Sequence, residues 1–273
     1  LGLSKKPMIV VPNHLVSQWS KDFMNLYPGA NILAASEKDF SKANRRRLFA
    51  RIATGNYDAI IVGHSSFKFI PVAKEVEQQF IRDELSHLNN ALSLAKDNED
   101  KRSVRAITNR IAKRTERLIA LNNSPSDDVA SFQQMGIDYL TVDEAHEFKN
   151  LEYSTGMRQV PGMGSPAGSQ RAFDLYMKVR LLLDHGDGGV TFATGTPISN
   201  SLVEMYSLMR YLNKEGLKDR GIESFDAWAK NYASIDPVIE YMATGKLKER
   251  NIMGSFNNVP EVMQLFNEFA DSV

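Results

Sequence analysis

Cysteine is absent from all 273 residues, which excludes a disulfide framework, a thiolate zinc site and a cysteine nucleophile. Any metal must be held by carboxylates or histidines, and a reducing compartment, the cytoplasm, is the expected location. A charge excess is also missing: 33 Lys and Arg face 33 Asp and Glu. Attraction to nucleic acid or to a membrane must then come from a local patch. No run approaches the ~18–20 apolar residues of a membrane span, and the opening LGLSKKPMIVVP has no signal-peptide layout, so no membrane partner is expected. No Gly-x-x-x-x-Gly-Lys occurs anywhere. What remains, 42% hydrophobic and 24% charged, is the composition of a soluble globular protein with a sizeable core. The first residue is not methionine and a strand begins within a few residues, so a piece of a longer polypeptide is expected.

Short apolar runs rich in β-branched residues recur at 8–11, 32–35, 59–62, 139–142 and 190–193, each read as a buried parallel strand. Segments with helical spacing lie between them, at 15–27 and 42–53, the latter closed by Thr54-Gly55-Asn56 as cap and turn. The alternation predicts an α/β domain whose parallel sheet has helices on both faces.

Between Pro71 and Pro125 the alternation stops. Ile81, Leu85, Leu88, Leu92 and Ala95, then Val104, Ile107, Ile111, Leu118 and Leu121, follow heptad spacing, with Arg114 in one seam position and Asp97-Asn98-Glu99-Asp100 as the turn. This predicts an antiparallel helical hairpin of coiled-coil type. Its second arm, 101–117, has seven basic residues against Glu116 alone. Such a run is either a solvated face or a surface for phosphate or a partner, and Arg105, Arg110 and Lys113 are the candidate nucleic-acid contacts. The stretch 156–169, GMRQVPGMGSPAGS, reads as a flexible loop. A helix over 170–183, a glycine-rich turn at 186–189 and, beyond Ser201, short helices around Trp228, Tyr232, Tyr241, Val262 and Phe266 complete the reading. The domain boundaries expected are 1–71, an insertion at 72–125, 126–212, and a helical extension over 213–273.

Two segments concentrate chemistry. Tyr139-Leu140-Thr141-Val142-Asp143-Glu144-Ala145-His146 is an apolar strand ending in two acids, which places Asp143 at the carboxyl end of a parallel sheet, where open α/β folds bind ligands. Carboxylates there suit Mg²⁺ shared with phosphate oxygens, and Glu144 is placed to take a proton from water. Two acids capping a helix N-terminus are the alternative. Val190 to Asn200, VTFATGTPISN, is again a strand running into small hydroxyl residues. Thr194 and Thr196 could bond phosphate, water or the acids, or they could be ordinary turn and cap residues.

Together, DEAH at 143–146 and TGTPISN at 194–200 resemble the DEAD/DEAH-box ATPases of helicase superfamily two, of RecA-like fold, in their Swi/Snf-like branch. The stretches PNHLVSQW at 12–19, NRRRLFARIATGNYDAIIVGHSSF at 44–67 and FNNVPEVMQLFNEFAD at 256–271 are similar to the large helicase-methylase polypeptides of phages and plasmids. The resemblance implies that Asp143 and Glu144 serve Mg²⁺, with Asp143 acting through water, while Glu144 orients the hydrolytic water and His146 relays the nucleotide state. It makes Thr194, Gly195, Thr196 and Asn200 the coupling motif, and Pro12, Asn13, His14, Gln18, Ser65 and Ser66 contacts to nucleic-acid phosphates. ATP and Mg²⁺ are the implied cofactors, and double-stranded DNA the implied partner.

The family's P-loop would precede Leu1 and its second RecA-like domain would follow Val273. These residues alone are therefore not expected to hydrolyse ATP. The P-loop strand belongs beside the strand carrying Thr194, so that edge is expected to be shielded by self-association or a terminal segment. A non-catalytic DNA- or protein-docking module of the same fold is the alternative function.

Overall fold

The computed structural model describes residues 4–97, 99–123, 129–184, 188–241 and 247–272. The chain divides into two units: Leu1–Phe80, Ile119–Phe148 and Phe173–Gly195 form the first, and Ile81–Leu118, Lys149–Ala172 and Thr196–Val273 the second. In chain order the elements begin β1 (Pro7–Val11), α1 (Val16–Leu26), β2 (Ile32–Ala35), α2 (Arg45–Thr54), β3 (Ala59–Gly63), α3 (His64–Phe67), α4 (Lys74–Asp97) and α5 (Lys101–Asn123). They continue with β4 (Tyr139–Asp143), α6 (Gln170–Asp184), β5 (Gly189–Ala193), α7 (Val203–Leu212), α8 (Lys214–Asp219), α9 (Phe225–Tyr232), β6 (Ala233–Tyr241), β7 (Leu247–Phe256) and α10 (Val259–Asn267).

The first unit holds a five-stranded sheet in the order β2-β3-β1-β4-β5, and every pairing is parallel. Its strands are the five apolar runs of the sequence. On one face Ile9, Val11, Ala59 and Ile61 pack against Leu15, Val16, Trp19 and Phe23 of α1 and the turn before it. All five residues of β3 are buried, as continuous β-branched runs require when both faces are covered. Coverage thins along the sheet: β4 alternates between half-buried and buried positions, and no residue of β5 is fully buried. Within the same unit, α6 buries Lys178 completely, its ammonium donating to the Phe67 carbonyl at 3.0 Å and pairing with Asp174 at 2.6 Å. Burial pulls Lys178 down and pushes Asp174 up, each against its partner's charge.

The helical hairpin forms as expected. Gln78 Nε2 near the start of α4 meets Asn122 Oδ1 near the end of α5 at 2.9 Å, so the arms run antiparallel. In the second unit Leu88, Ala91 and Ala95 close on Ile107, with Val104 and Ile111 beside them. Asp100 caps α5 through the Arg102 and Ser103 amides. The expected turn residue Asn98 and the expected hairpin end at Pro125 lie outside the described residues, as do Gly186 and Asp187 of the expected turn before β5. Arg114 occupies its seam position by pairing with Glu84 at 2.6 Å and with both oxygens of Glu152.

Two expectations change. The stretch 156–169 is pinned rather than flexible: Met253 donates its amide to Pro161 O at 2.9 Å, Tyr153 donates its hydroxyl to Met163 O at 2.7 Å, and Met163 is fully buried. Gly162, at φ +89°, lies where a Cβ would overlap the Met253 carbonyl. The second change is in the C-terminal part. Helices do surround Trp228, Tyr232, Val262 and Phe266, but Tyr241 lies on a strand, because β6 and β7 pair as an antiparallel ribbon with a bulge at Ser234/Ile235. Ile235, Val238 and Ile239 of that ribbon are exposed. Among its described residues only Ala233 and Met253, at the end of the ribbon next to α9, are buried, and two such positions do not make the alternation that marks a strand.

Burial, and then the neighbouring Glu152 carboxylate, push Glu84 up to about 8 despite Arg114. From its ordinary 4.5 to that value the folded chain binds more protons than the unfolded one, so this group's contribution to stability falls as pH rises through the window. The thermal midpoint of the wild type should fall between pH 5 and pH 8 relative to Glu84→Gln. Parallel pH profiles would contradict the assignment.

Candidate functional site

Because the sheet is all-parallel, every strand of the first unit delivers its following turn to one edge. There β1 runs into Pro12 and Asn13, β3 into His64 and Ser65, β4 into Glu144, and β5 into Thr194. This is the edge at which open α/β sheets place ligands.

β4 ends in Asp143, whose Oδ1 accepts the Glu144 amide at 3.0 Å. Glu144 has φ +50°, a left-handed conformation that costs an ordinary side chain about 1–2 kcal/mol. The turn directs its carboxylate to His146: His146 Nδ1 is 3.1 Å from Glu144 Oε2 and 3.1 Å from Thr194 Oγ1. One imidazole nitrogen thus touches both the acid segment and the start of the hydroxyl segment. His64, buried and edge-on to Phe148, places Nε2 2.8 Å from the Asp143 carbonyl, so it reaches across the end of β1 and steadies the acid turn.

A second cluster joins the turns after β1 and β3. Asn13 Nδ2 donates to Ser65 Oγ at 2.6 Å, and Asn13 Oδ1 accepts the Ser65 amide at 3.1 Å. Gly63 permits the approach, since a Cβ there would sit 2.6 Å from Asn13 Oδ1. Sequence reasoning did not anticipate Glu37, whose Oε1 accepts from Asn13 Nδ2 at 3.0 Å and from Ser65 Oγ at 3.2 Å. His14 and Gln18 are exposed nearby and Pro12 is half-buried, whereas Ser66 is buried.

The remainder of the hydroxyl segment belongs to the second unit, where Thr196 and Asn200, like Gly195 before them, are exposed. A buried acid organises its end. Glu204 accepts the Ser199 amide at 2.7 Å and the Asn200 amide at 3.3 Å, and pairs with Lys149 at 3.1 Å. Lys149 also donates to Ser199 Oγ at 2.5 Å. Neither Lys149 nor Glu204 was singled out from sequence, although each lies within a few residues of a motif. On α5, Arg105 and Lys113 are exposed. Arg110 turns inward, donating to the Tyr153 carbonyl at 2.9 Å beside Glu84 and Glu152.

Among the described residues, no three His, Cys, Asp or Glu converge into a metal cage. Two adjacent carboxylates at a solvent-reached sheet edge instead match an ion that keeps most of its waters, as Mg²⁺ does. No phosphate cradle accompanies them in this sequence.

The left-handed turn at Glu144 makes its own prediction. Glu144→Gly should be more stable than Glu144→Ala by about 0.5–1 kcal/mol, since relief of strain exceeds the entropy that glycine adds to the unfolded chain. Denaturant unfolding of the two variants measures this, and an alanine variant as stable as glycine would refute the strained turn.

Among the described residues no helix is long and apolar enough to cross a membrane. Comparison with curated proteins finds no match. The family model described as a probable helicase domain matches residues 1–272, and the chain belongs to that probable helicase domain family.

Proposed function

We propose that this chain is part of a DNA-dependent ATPase of helicase superfamily two, in the Swi/Snf-like branch and of the phage and plasmid helicase-methylase type, which couples ATP hydrolysis to movement on or remodelling of duplex DNA. The observation that supports this best is the position of His146 Nδ1 at 3.1 Å from both Glu144 and Thr194. A motor needs such a link: a group that senses the acid at the reaction centre and holds the segment that must respond to it.

In this reading Asp143 holds Mg²⁺ through water, and Glu144 orients the attacking water and accepts its proton. When bound, the ion would neutralise charge on the phosphates of ATP. His146 exchanges its contacts with Glu144 and Thr194 as the charge at the acid turn changes. The hydroxyl segment 194–200 then takes up the movement, with Lys149 and Glu204 fixing its far end. The phosphate cradle has to come from outside these 273 residues. Asn13 and Ser65 contact phosphates of the nucleic-acid backbone, which positions the protein without reading sequence; exposed His14 and Gln18 extend that contact, and Arg105 and Lys113 add a basic surface on α5.

ATP hydrolysis by the intact protein, with and without duplex DNA, tests the reading. Turnover should rise with DNA, and Glu144→Gln should lower it by about 10²-fold or more while nucleotide binding persists. DNA binding without turnover in either protein would favour the docking module.

Glu37 sharpens the nucleic-acid side. Its carboxylate occupies the donors that a phosphate would need, so binding requires its displacement. In DNA titrations Asn13→Ala should weaken affinity and Glu37→Gln strengthen it, each by severalfold. Weaker binding by Glu37→Gln would show instead that the carboxylate organises the site.

A further inference from the structure

The pinned loop 156–169 forms one wall of a cleft whose other wall is α5, all within the second unit. A cavity of about 670 Å³ is lined by Asp100, Arg102 and Ser103 at the start of α5 and by Arg158, Gln159 and Gly162 of the loop. A second, of about 290 Å³, shares Ser103 and Gln159 and continues past Asn109 to Lys113. From Arg102 to Lys113 the helix rises ~16 Å.

The charges in this cleft differ from those buried beside it. Arg110 and Arg114 are committed to Glu84 and Glu152, whereas Arg102, Arg158 and Lys113 form no salt bridge among the described residues, Arg158 meeting only the longer-range charge of Asp100. Glu99 and Lys101 stand at the mouth, and one acid, Asp100, lines the larger cavity itself. Asp100 is already engaged by the α5 N-terminus through the Arg102 and Ser103 amides and the Ser103 hydroxyl. Cations outside any salt bridge at both ends of a concave channel, outnumbering the one acid between them, whose oxygens are already hydrogen-bonded, match an extended polyanion. A duplex presents its phosphates on a convex surface and would reach only the rim, while a single strand fits between helix and loop. No aromatic side chain lines either cavity, so base stacking of the kind common in single-strand sites is not on offer and recognition falls on the backbone.

We propose that the cleft between α5 and the loop 156–169 binds the sugar-phosphate backbone of single-stranded nucleic acid, with Arg102, Arg158 and Lys113 as the phosphate contacts. This rests on the nucleic-acid reading above but uses a surface separate from Asn13 and Ser65.

The test is binding of the wild type and an Arg102→Gln/Arg158→Gln double variant to a single-stranded oligonucleotide, a duplex of equal length and polyglutamate, each over a range of salt. Both side chains are exposed and form no salt bridge among the described residues, so the variant should stay within a degree or two of the wild-type melting temperature, as expected for surface charges. Its affinity for the single strand should fall about tenfold, with the log–log salt slope reduced by about 1.4, two contacts at about 0.7 each; duplex affinity should change less than twofold. Equal losses on single strand and duplex would overturn the cleft in favour of a general basic surface. A loss confined to polyglutamate would overturn it in favour of an acidic protein segment. Unchanged binding to all three would remove the cleft while leaving the Asn13 and Ser65 reading intact, and a wild type that binds no nucleic acid at all would instead remove that reading itself.

Discussion

The first unit depends on β1 being held in parallel register between β3 and β4. Once those pairings form, chain direction alone brings the turns after residues 11, 63 and 143 to the same edge, and β5 adds the turn after 193. No side-chain interaction is needed to collect them. Side chains then act over one or two strand spacings: Asn13 to Ser65 between neighbouring strands, and His64 to the Asp143 carbonyl across the strand between. The apolar content of β1 and β3, buried on both faces, is therefore a condition of the site as well as of the core.

Buried charges perform a second task with a common form. Lys178 holds the Phe67 carbonyl, Arg110 the Tyr153 carbonyl, Arg210 the Glu152 carbonyl, and Glu204 the Ser199 amide. In each case an ionic side chain that is buried, as Lys178 and Glu204 are, or half-buried, as Arg110 and Arg210 are, also satisfies a backbone group of a loop or short turn. Buried ion pairs contribute little net stability compared with apolar replacements. What they add here is definition, because a loop whose carbonyl or amide is fixed by a buried charge has few alternative arrangements.

Legibility in the sequence follows from these two tasks. The five strands were visible because doubly covered β-branched runs are distinctive, and the hairpin because its seam repeats over many turns. The two acids and the hydroxyl segment could be singled out because they adjoin strand ends, and His146 through the resemblance of residues 143–146 to a DEAH box. The ribbon β6-β7 was hidden because most of its apolar residues, Ile235, Val238 and Ile239 among them, are exposed, and the order in 156–169 because its anchors, Met253 and Ser201, come from distant sequence. Arg110 could not be told from Arg105 by composition; only the phase of α5 against Glu84 and Glu152 separates the buried arginine from the exposed one. Glu37 gave no signal, being an exposed acid in a short turn until folding sets it beside Asn13.

The outer edge of β5 pairs with no other strand among the described residues, and its side chains are half-buried or exposed. Backbone hydrogen bonding is nearly indifferent to the direction of an added strand, with parallel pairing only slightly weaker than antiparallel. The geometric outcomes differ sharply. A parallel newcomer would contribute its carboxyl-terminal turn to the edge where Asn13, His64, Asp143 and Thr194 emerge; an antiparallel one would satisfy the same amides and carbonyls while presenting an amino-terminal end. Polarity of the incoming strand, rather than strength of pairing, thus decides whether the sheet gains a functional turn or only a cover.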